Sequence, residues 1–399
     1  MKYRSPAANI YYLYLIRLSK WLMLIMPIVA LFYNENGLST FDIFLLQAVY
    51  SFSVAIFEIP SGYMADIIGR RTSLICGGIL GTLGFAVLSI SHDFSGFLIA
   101  ELILGLGGSF ISGSDSALLY DSLVVSRREH NYIRYEGRIT ALGNLAETAA
   151  AVGGGLIALW LGYRGVYVAQ TMIAAIAIPS SLLLIEPARK KLTERPSFSQ
   201  IIEISKHALF KDLKLSSTII LSAATGTATL TMAWTAQIYF VAHGFTEVQI
   251  TPLWVLLNLC VAVVSASTAL VVRKIGTRKA ILLIFVVMPL SYILMGILPI
   301  VPALIVLTLF YLVRGYATPL LRNLTNLNCE SEIRATVLSI RSLLVRVCFT
   351  VGGPAIGYLA GKYTLDYALI IFGVVLWLMF AFGVVFLFRY HRDSLNSYS

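Results

Sequence analysis

The sequence predicts an all-α membrane protein with twelve transmembrane helices, arranged as two similar six-helix halves. Three observations support this prediction: an apolar composition, a regular succession of long apolar runs, and a turn motif that occurs once in each half. Apolar residues make up 58% of the chain and charged residues 13%, whereas soluble proteins are about half apolar and about a quarter charged. A soluble protein of this length cannot cover so much apolar surface, so most of the chain must lie in lipid.

Long apolar runs account for most of the sequence. A helix crosses a bilayer core of about 30 Å with roughly 20 apolar residues, and charged clusters, glycines and prolines separate twelve runs of that kind. The predicted spans are residues 10–33, 41–65, 73–92, 95–124, 135–160, 163–185, 214–241, 247–272, 279–299, 302–327, 334–361 and 365–388.

The longest polar segment follows the sixth run and predicts the domain organisation. We expect a first six-helix bundle at 1–188, a cytoplasmic linker at 189–213 and a second bundle at 214–399. Apolar residues recur in the linker at near-helical spacing, which predicts a short helix at the membrane surface. They are Phe198, Ile201, Ile202 and Leu209.

The positions of lysine and arginine predict the orientation. With both termini in the cytoplasm, 22 of the 30 basic residues fall in inner segments, six fall within spans, and only Arg164 and Lys362 fall in outer loops. Inner loops of membrane proteins carry this excess. We therefore expect a multi-pass protein of the bacterial inner (plasma) membrane, whose net charge of +10 requires no nucleic-acid partner.

No pattern typical of an enzyme or a cofactor site is present. The four cysteines are scattered without paired spacing, which favours small buried side chains over a disulfide framework or a metal site. The glycine-rich run Gly105–Gly108 lies inside a predicted span, where helix packing is a better explanation than phosphate binding. We expect no enzymatic activity, no cofactor and no metal, and an ion gradient, of protons, as the energy source.

One turn motif is repeated. GYMADIIGRRTSL (Gly62–Leu74) lies between spans two and three, and ALVVRKIGTRKAIL (269–282) lies between spans eight and nine. Aligning Gly69 with Gly276 also aligns Arg71 with Arg278. A shared turn at the same ordinal position implies internal duplication, and repeats packed around a midplane site are a recurrent plan of transporters.

With this motif the chain resembles the major facilitator superfamily, over essentially its whole length. The family's signature between spans two and three is G-x-x-x-D-(R/K)-x-G-(R/K)-(R/K), and Ile67 replaces the first basic residue here. The resemblance implies the major facilitator fold, in which two six-helix bundles rock about a central cavity. The matching residues are Gly62, Asp66, Gly69, Arg70 and Arg71.

The charged turn predicts a gate. Its glycines allow two helices to approach closely, and Asp66 is expected to cap or face the positive end of a neighbouring helix. Arg70 and Arg71 are expected to pair with Asp121, at the cytoplasmic end of span four. By analogy with the family such pairs hold the cytoplasmic side closed and break when the bundles move; alternatively, the arginines only anchor the topology. Glu58 is assigned to the same gate or to packing.

Acidic residues inside the spans are candidates for proton coupling, because ionisable groups there are costly. We predict Asp115 and Glu147 as proton-titrating acids. Glu101, in ELILGLG, occupies the position where many exchangers of the family carry a basic residue, and offers a third acid near the outer side. In the alternative interpretation, Glu147 with Arg346, or Asp115 with Arg17, forms a fixed ion pair that links the halves.

Basic and aromatic residues within the spans predict the substrate. Arg17, Arg314, Arg341 and Arg346 are assigned to the substrate cavity and favour an anionic or zwitterionic amphipathic solute. The preferred hypothesis is a monomeric, proton-coupled exporter of drugs or metabolites, whose partners are the solute, protons and membrane lipid. The alternatives are an importer of an anionic metabolite or metal chelate and a transport-dead receptor or scaffold; acids retained in mid-membrane argue against the latter.

Overall fold

A computed structural model describes residues 8–128, 131–187, 203, 205–329 and 334–390. Over these residues the chain forms helices joined by short turns and contains no strand. Most of the predicted linker, with Phe198, Ile201 and Ile202, lies outside this description. The structure describes only the backbone, and not the side chain, at residues 59, 66, 132–134, 136, 137, 140, 141, 144, 326, 334 and 335.

Contacts between Cα atoms divide the chain into two compact units. The first comprises Met1–Lys191 with Gly244–Val255, and the second comprises Leu192–His243 with Leu256–Ser399. The predicted domain boundaries at 188 and 214 stay a prediction. The helices between residues 8 and 187 are α1 (Asn9–Trp21), α2 (Val29–Glu35), α3 (Thr40–Ile68), α4 (Arg70–Ile90), α5 (Phe94–Ile111), α6 (Ser114–Val125), α7 (Tyr132–Ala175) and α8 (Ala177–Leu182).

The remaining helices follow a π-helical turn at His207–Lys211. They are α9 (Leu213–Ala242), α10 (Glu247–Ala266), α11 (Thr268–Ile275), α12 (Thr277–Met295), α13 (Ile300–Leu327), α14 (Arg334–Lys362) and α15 (Leu365–Tyr390). Within the second unit, α12 packs against α13 and α15, and α9 packs against α13, α14 and α15.

Ten helical stretches of the described chain are long and apolar enough to cross a membrane. The predicted fifth and sixth spans fall in one such stretch, Leu145–Leu182, because α7 continues through a non-helical residue, Gly162, with φ 69° and ψ 175°. The predicted first span is absent from the ten because it is divided into α1 and α2. The number of twelve spans stays a prediction, and the all-helical membrane architecture is confirmed.

The break in the first span has a local cause. Pro27 has no amide hydrogen and disfavours helical geometry in the residue before it, and residues 22–28 are not α-helical. The amide of Leu24, which lies outside any α-helix, donates instead to Oε1 of the buried Gln170, 2.8 Å away on α7. Gly154 faces the same segment, since a Cβ there would overlap the Leu24 carbonyl. Gly154 therefore allows α7 to pack directly against this segment.

The repeated turn adopts the same backbone conformation in both halves. Gly69 joins α3 to α4 with φ 99° and ψ 146°, and Gly276 joins α11 to α12 with φ 82° and ψ 145°. Residues other than glycine rarely adopt such angles. The shared geometry supports the internal duplication inferred from the sequence.

Candidate functional site

The most enclosed ion pair of the first unit joins Arg17 to Asp115. Nε of Arg17 lies 2.7 Å from Oδ2 of Asp115, and Nη2 lies 2.6 Å from Oγ of Ser116. Arg17 is 6% exposed, so each charge is balanced by the other in a water-poor environment. Both residues belong to the first unit. The alternative interpretation, in which this pair links the two halves, is therefore wrong, because the second unit contributes neither residue.

A second helix break positions Asp115. Gly113, with φ 77°, separates α5 from α6, and Asp115 lies in the first turn of α6. The amide groups at a helix N-terminus favour a negative charge, and the backbone amide of Ser116 donates to Oδ1 of Asp115 at 2.7 Å. The broken fourth span thus holds the carboxylate at a fixed place opposite Arg17 on α1.

Glu101 is buried among neutral hydrogen-bond donors. Its Oε1 accepts the Tyr33 hydroxyl at 2.8 Å and the Gln47 amide at 2.9 Å, and the residue is 5% exposed. The ring of Phe32 packs on Tyr167 with centroids 4.1 Å apart, and the buried Tyr167 hydroxyl has no hydrogen-bond partner among the described residues. This polar cluster joins α2, α3 and α5.

The predicted gate is partly assembled. Nη1 of Arg70 forms an ion pair with Oδ2 of Asp121 and donates to the Ala117 carbonyl at 2.6 Å. Arg71 donates from Nη2 to the Leu182 carbonyl at 2.8 Å, and its expected pairing with Asp121 stays a prediction. The Asp66 side chain lies outside the description. Gly62 is exposed and Glu58 is half-buried.

Glu186 binds the same turn and was not predicted. Its two carboxylate oxygens accept the backbone amides of Arg70, at 3.1 Å, and of Arg71, at 2.7 Å. These amides are the unpaired donors at the N-terminus of α4, where a negative charge is favourable. Because Glu186 follows α8 and lies far from the turn in sequence, only the packing of α8 against α4 brings it there.

The second unit holds the other predicted arginines. Nε of Arg341 donates to Oγ of Ser222 on α9, and the guanidinium carbon of Arg314 lies 5.0 Å from the centroid of the Tyr311 ring. Nε of Arg346 is buried and has no hydrogen-bond partner among the described residues. Glu147, half-buried on α7, and Arg346 belong to different units.

A row of buried polar groups on α9 was also missed. Thr231, Thr235 and Tyr239 recur every fourth residue and therefore share one face of the helix. Their hydroxyls, and Oε1 of Gln237, are buried without a hydrogen-bond partner in the described part of the chain. The spacing of these polar residues is visible in TMAWTAQIY, but the long apolar runs on both sides led to the segment being interpreted only as part of a membrane span. Among the described residues, no group of three His, Cys, Asp or Glu side chains could hold a metal ion.

These features define a class. A chain of apolar helices, in two compact units that each contain buried charged groups, is a multi-pass integral membrane protein with polar sites inside its bundles. Residues 15–345 match the sequence model of the Major Facilitator Superfamily. The chain belongs to this family, and it is a secondary transporter of small solutes rather than an enzyme.

Individual relatives are distant. The chain is 25% identical over 167 residues to the MFS-type transporter gkaD of Penicillium citrinum, covering 42% of this chain and 27% of that protein. It is 22% identical over 170 residues to the quinolone resistance protein NorA of Staphylococcus aureus, covering 43% and 42%. The matched segments thus span less than half the length of these two relatives.

Solved structures show the same fold. A point mutant of the nucleoside transporter NupG aligns over 95% of this chain and 100% of its own, with a TM-score of 0.78 and 13% identity. At this identity the likeness concerns the fold, and the predicted major facilitator fold is confirmed.

Proposed function

We propose that this transporter exports an amphipathic organic solute in exchange for protons, and that Glu101 carries the proton. The observation behind the proposal is the position of Glu101: its carboxyl group is buried and its described partners, Tyr33 and Gln47, are both neutral.

The argument for Glu101 is energetic. An ionised carboxylate that leaves water loses a large solvation free energy unless a cation replaces it. Asp115 and Asp121 face Arg17 and Arg70, whereas the described donors to Glu101 bear no charge. Proton binding at Glu101 therefore removes a buried charge, and release on exposure to water restores its solvation. This cycle couples a proton to a conformational change.

The paired acids have a different role in this proposal. The ion pair of Arg17 with Asp115 holds α1 against α6 in one conformation, and the pair of Arg70 with Asp121 holds α4 against α6. Asp115 and Glu147 are the second candidates for the residue that binds the transported proton. In this scheme, rearrangement of the bundles makes both carboxyl groups accessible to protons. Arg314, Arg341 and Arg346 face the solute in this scheme.

Export is favoured over import by the similarity to NorA, whose name describes quinolone resistance. An amphipathic solute is favoured by the mixture of aromatic and charged side chains within the spans, for which Tyr311 beside Arg314 is an example. Following the distribution of basic residues, we propose that both termini lie in the cytoplasm. We further propose that the protein is a monomer of the bacterial inner membrane.

Import of an anionic metabolite or metal chelate is the second candidate function. It is favoured by Arg346, whose buried Nε has no described partner, because a buried guanidinium donor without an acceptor is costly. An anion bound at Arg346 and Arg341 would remove that cost. The direction of gradient-driven movement separates the two functions.

The test uses purified protein in liposomes that contain a pH-sensitive dye, with ethidium, norfloxacin and 1-naphthoate as solutes. Proton movement on addition of at least one solute is expected for the wild type. Glu101→Gln should abolish this movement and gradient-driven accumulation while preserving solute exchange at equal pH, because glutamine keeps the hydrogen bonds but carries no proton. Everted membrane vesicles energised by respiration should accumulate the same solute.

Glu35→Gln is the matched control, since it makes the same substitution in the same unit at an exposed position to which no role is assigned. It should leave both measurements unchanged. If Glu101→Gln retains solute-driven proton movement, the proton is carried elsewhere. Accumulation only in right-side-out vesicles would indicate import.

A further inference from the structure

A cavity of about 220 Å³ lies in the first unit beside the Arg17–Asp115 pair, and we call it the α1–α7 cavity. Its wall on α1 carries three aromatic rings, and its wall on α7 is aliphatic and contains one glycine. The lining residues are Tyr11, Tyr14, Leu15, Arg17, Leu18, Trp21, Ile139, Leu142 and Gly143.

Helical periodicity produces this arrangement. Residues 11, 14, 15, 18 and 21 recur at intervals of three and four, so they form one stripe along α1. The opposite face of α1, with Leu13 and Ile16, is fully buried in the core of the unit. The cavity therefore lies on the side of α1 that faces away from this core.

Gly143 creates the floor of the cavity. A Cβ at this position would lie 2.9–3.1 Å from three ring carbons of Trp21, closer than carbon atoms pack. The absence of a side chain at Gly143 lets the indole of Trp21 lie directly against the backbone of α7. Trp21 is itself a lining residue, so its indole forms part of the cavity wall.

The charge in the cavity is balanced. Arg17 is the one charged residue among the described residues that line it, and that guanidinium is bonded to Asp115 at 2.7 Å. A bound group is therefore selected by shape and by contact with aromatic rings more than by its charge. Aromatic rings favour stacked or edge-on contact with another ring.

The volume limits what fits. Sites for drug-sized molecules occupy about 300–1,000 Å³, and the cavity is smaller than that at about 220 Å³. It accommodates one ring system with the rest of the molecule outside. This size suits a bicyclic aromatic group better than a whole drug or a long acyl chain.

We propose that the α1–α7 cavity is a binding subsite for a planar aromatic ring system, held between Trp21, Tyr11 and Tyr14. The proposal deepens the transport function proposed above and rests on it, because the ring belongs to the exported amphipathic solute. Gly143 sets the depth of the subsite, and the Arg17–Asp115 pair forms its polar end.

The probe is dansylamide, a neutral bicyclic fluorophore that accepts excitation energy from tryptophan. Titration into detergent-solubilised full-length protein should show saturable enhancement of dansyl emission. Gly143→Leu fills the floor and should weaken binding by about tenfold or more, since overpacked sites are costly. The matched control is Gly81→Leu, because nothing lies within 4 Å of a Cβ at Gly81; it should bind as the wild type does.

A second measurement does not depend on the fold of the Gly143 variant. Trp21→Phe should reduce energy transfer to bound dansylamide, whereas Trp160→Phe, at a position 85% exposed, should not. Equal transfer in both variants, or wild-type affinity in Gly143→Leu, would overturn the proposal. It would equally be overturned if a dansyl-labelled phospholipid, and not dansylamide, showed the dependence on Gly143, since the occupant would then be lipid.

The two proposals fail in different ways. Binding of dansylamide is measured without a gradient, so normal Trp21-dependent binding in a protein that moves no protons contradicts only the transport mechanism. Normal solute-driven proton movement in a Gly143→Leu protein that has also kept its affinity for dansylamide contradicts only the subsite.

Discussion

At the scale of single residues, the Arg17–Asp115 pair determines how α1 lies against α6. Both groups are nearly enclosed, and Ser116 supplies a further acceptor at 2.6 Å. Replacing one partner leaves the other buried without its counter-charge, whereas replacing both removes the charges together. The effects of the two substitutions should therefore be strongly coupled.

Asp115→Asn and Arg17→Gln, each alone, are expected to lower the free energy of unfolding by about 3–5 kcal/mol, and the double variant by less than their sum. The measurement is thermal unfolding in detergent, followed by tryptophan fluorescence. Additive losses would show that the two charges do not depend on each other. Ser116→Ala serves as a control, because it removes one neutral acceptor and no charge.

Contacts between single residues could be predicted where opposite charges were rare. Asp121 and Asp115 are among the few acids within the predicted spans, so few partners were possible for Arg70 and Arg17. The pair of Arg70 with Asp121 was predicted, and the pair of Arg17 with Asp115 was the alternative to a proton-titrating role for Asp115. The partners of Glu101 could not be predicted, because tyrosine and glutamine are common and their contacts depend on how three helices pack. Glu186 was overlooked because it ends an apolar run and looks like the start of a linker.

At the scale of helices, the turn between α3 and α4 is stabilised by a residue that follows another helix, α8. Glu186 accepts two amides at the start of α4 and lies 3.3 Å from the position of a Cβ at Gly69. The corresponding turn at Gly276 has the same angles and open space around it. The two glycines therefore allow backbone strain to be measured separately from loss of the carboxylate contact.

Gly276→Ala should cost about 1–3 kcal/mol of stability from backbone strain alone. Gly69→Ala should cost more, because the added methyl group also displaces the Glu186 carboxylate from the start of α4. Thermal unfolding of both variants, alone and combined with Glu186→Gln, measures the difference. If Gly69→Ala and Gly276→Ala are equally destabilising, the contact with Glu186 contributes nothing.

Helix existence was easier to predict than helix continuity. Hydropathy identifies the apolar runs, but it averages over Pro27, Gly113 and Gly162, where the backbone leaves helical geometry. Such breaks depend on local backbone angles and on a partner that accepts the freed amide, as Gln170 does for Leu24. The first span was therefore predicted as one helix and is two.

At the scale of the whole molecule, the excess of basic residues on one side is the strongest sequence signal. Of 30 lysines and arginines, 22 fall in segments assigned to the inner side and two in outer loops. Cytoplasmic loops carry such an excess because positive charge is retained on that side during insertion.

Fusions made in bacterial cells test this orientation. Green fluorescent protein after Ser399 should fluoresce, because it folds in the cytoplasm, and alkaline phosphatase after Ser91 should be active, because it requires the outer compartment. The exchanged fusions, phosphatase after Ser399 and fluorescent protein after Ser91, are the controls and should be silent. Active phosphatase at the C-terminus would contradict a cytoplasmic location.

The hydrogen bond from Leu24 to Gln170 ties the shape of one segment to the chemistry of another. In hydrocarbon a bare amide is costly, so the bend at residues 22–28 is stable only while an acceptor is supplied by α7. Sequence changes in the bend therefore depend on the acceptor in α7, and changes at the acceptor depend on the bend. A homologue without an acceptor at position 170 is expected to supply another hydrogen-bond acceptor near the bend. The bent first span therefore requires two sequence features together, the bend at Leu24 and the acceptor at Gln170, which lie 146 residues apart.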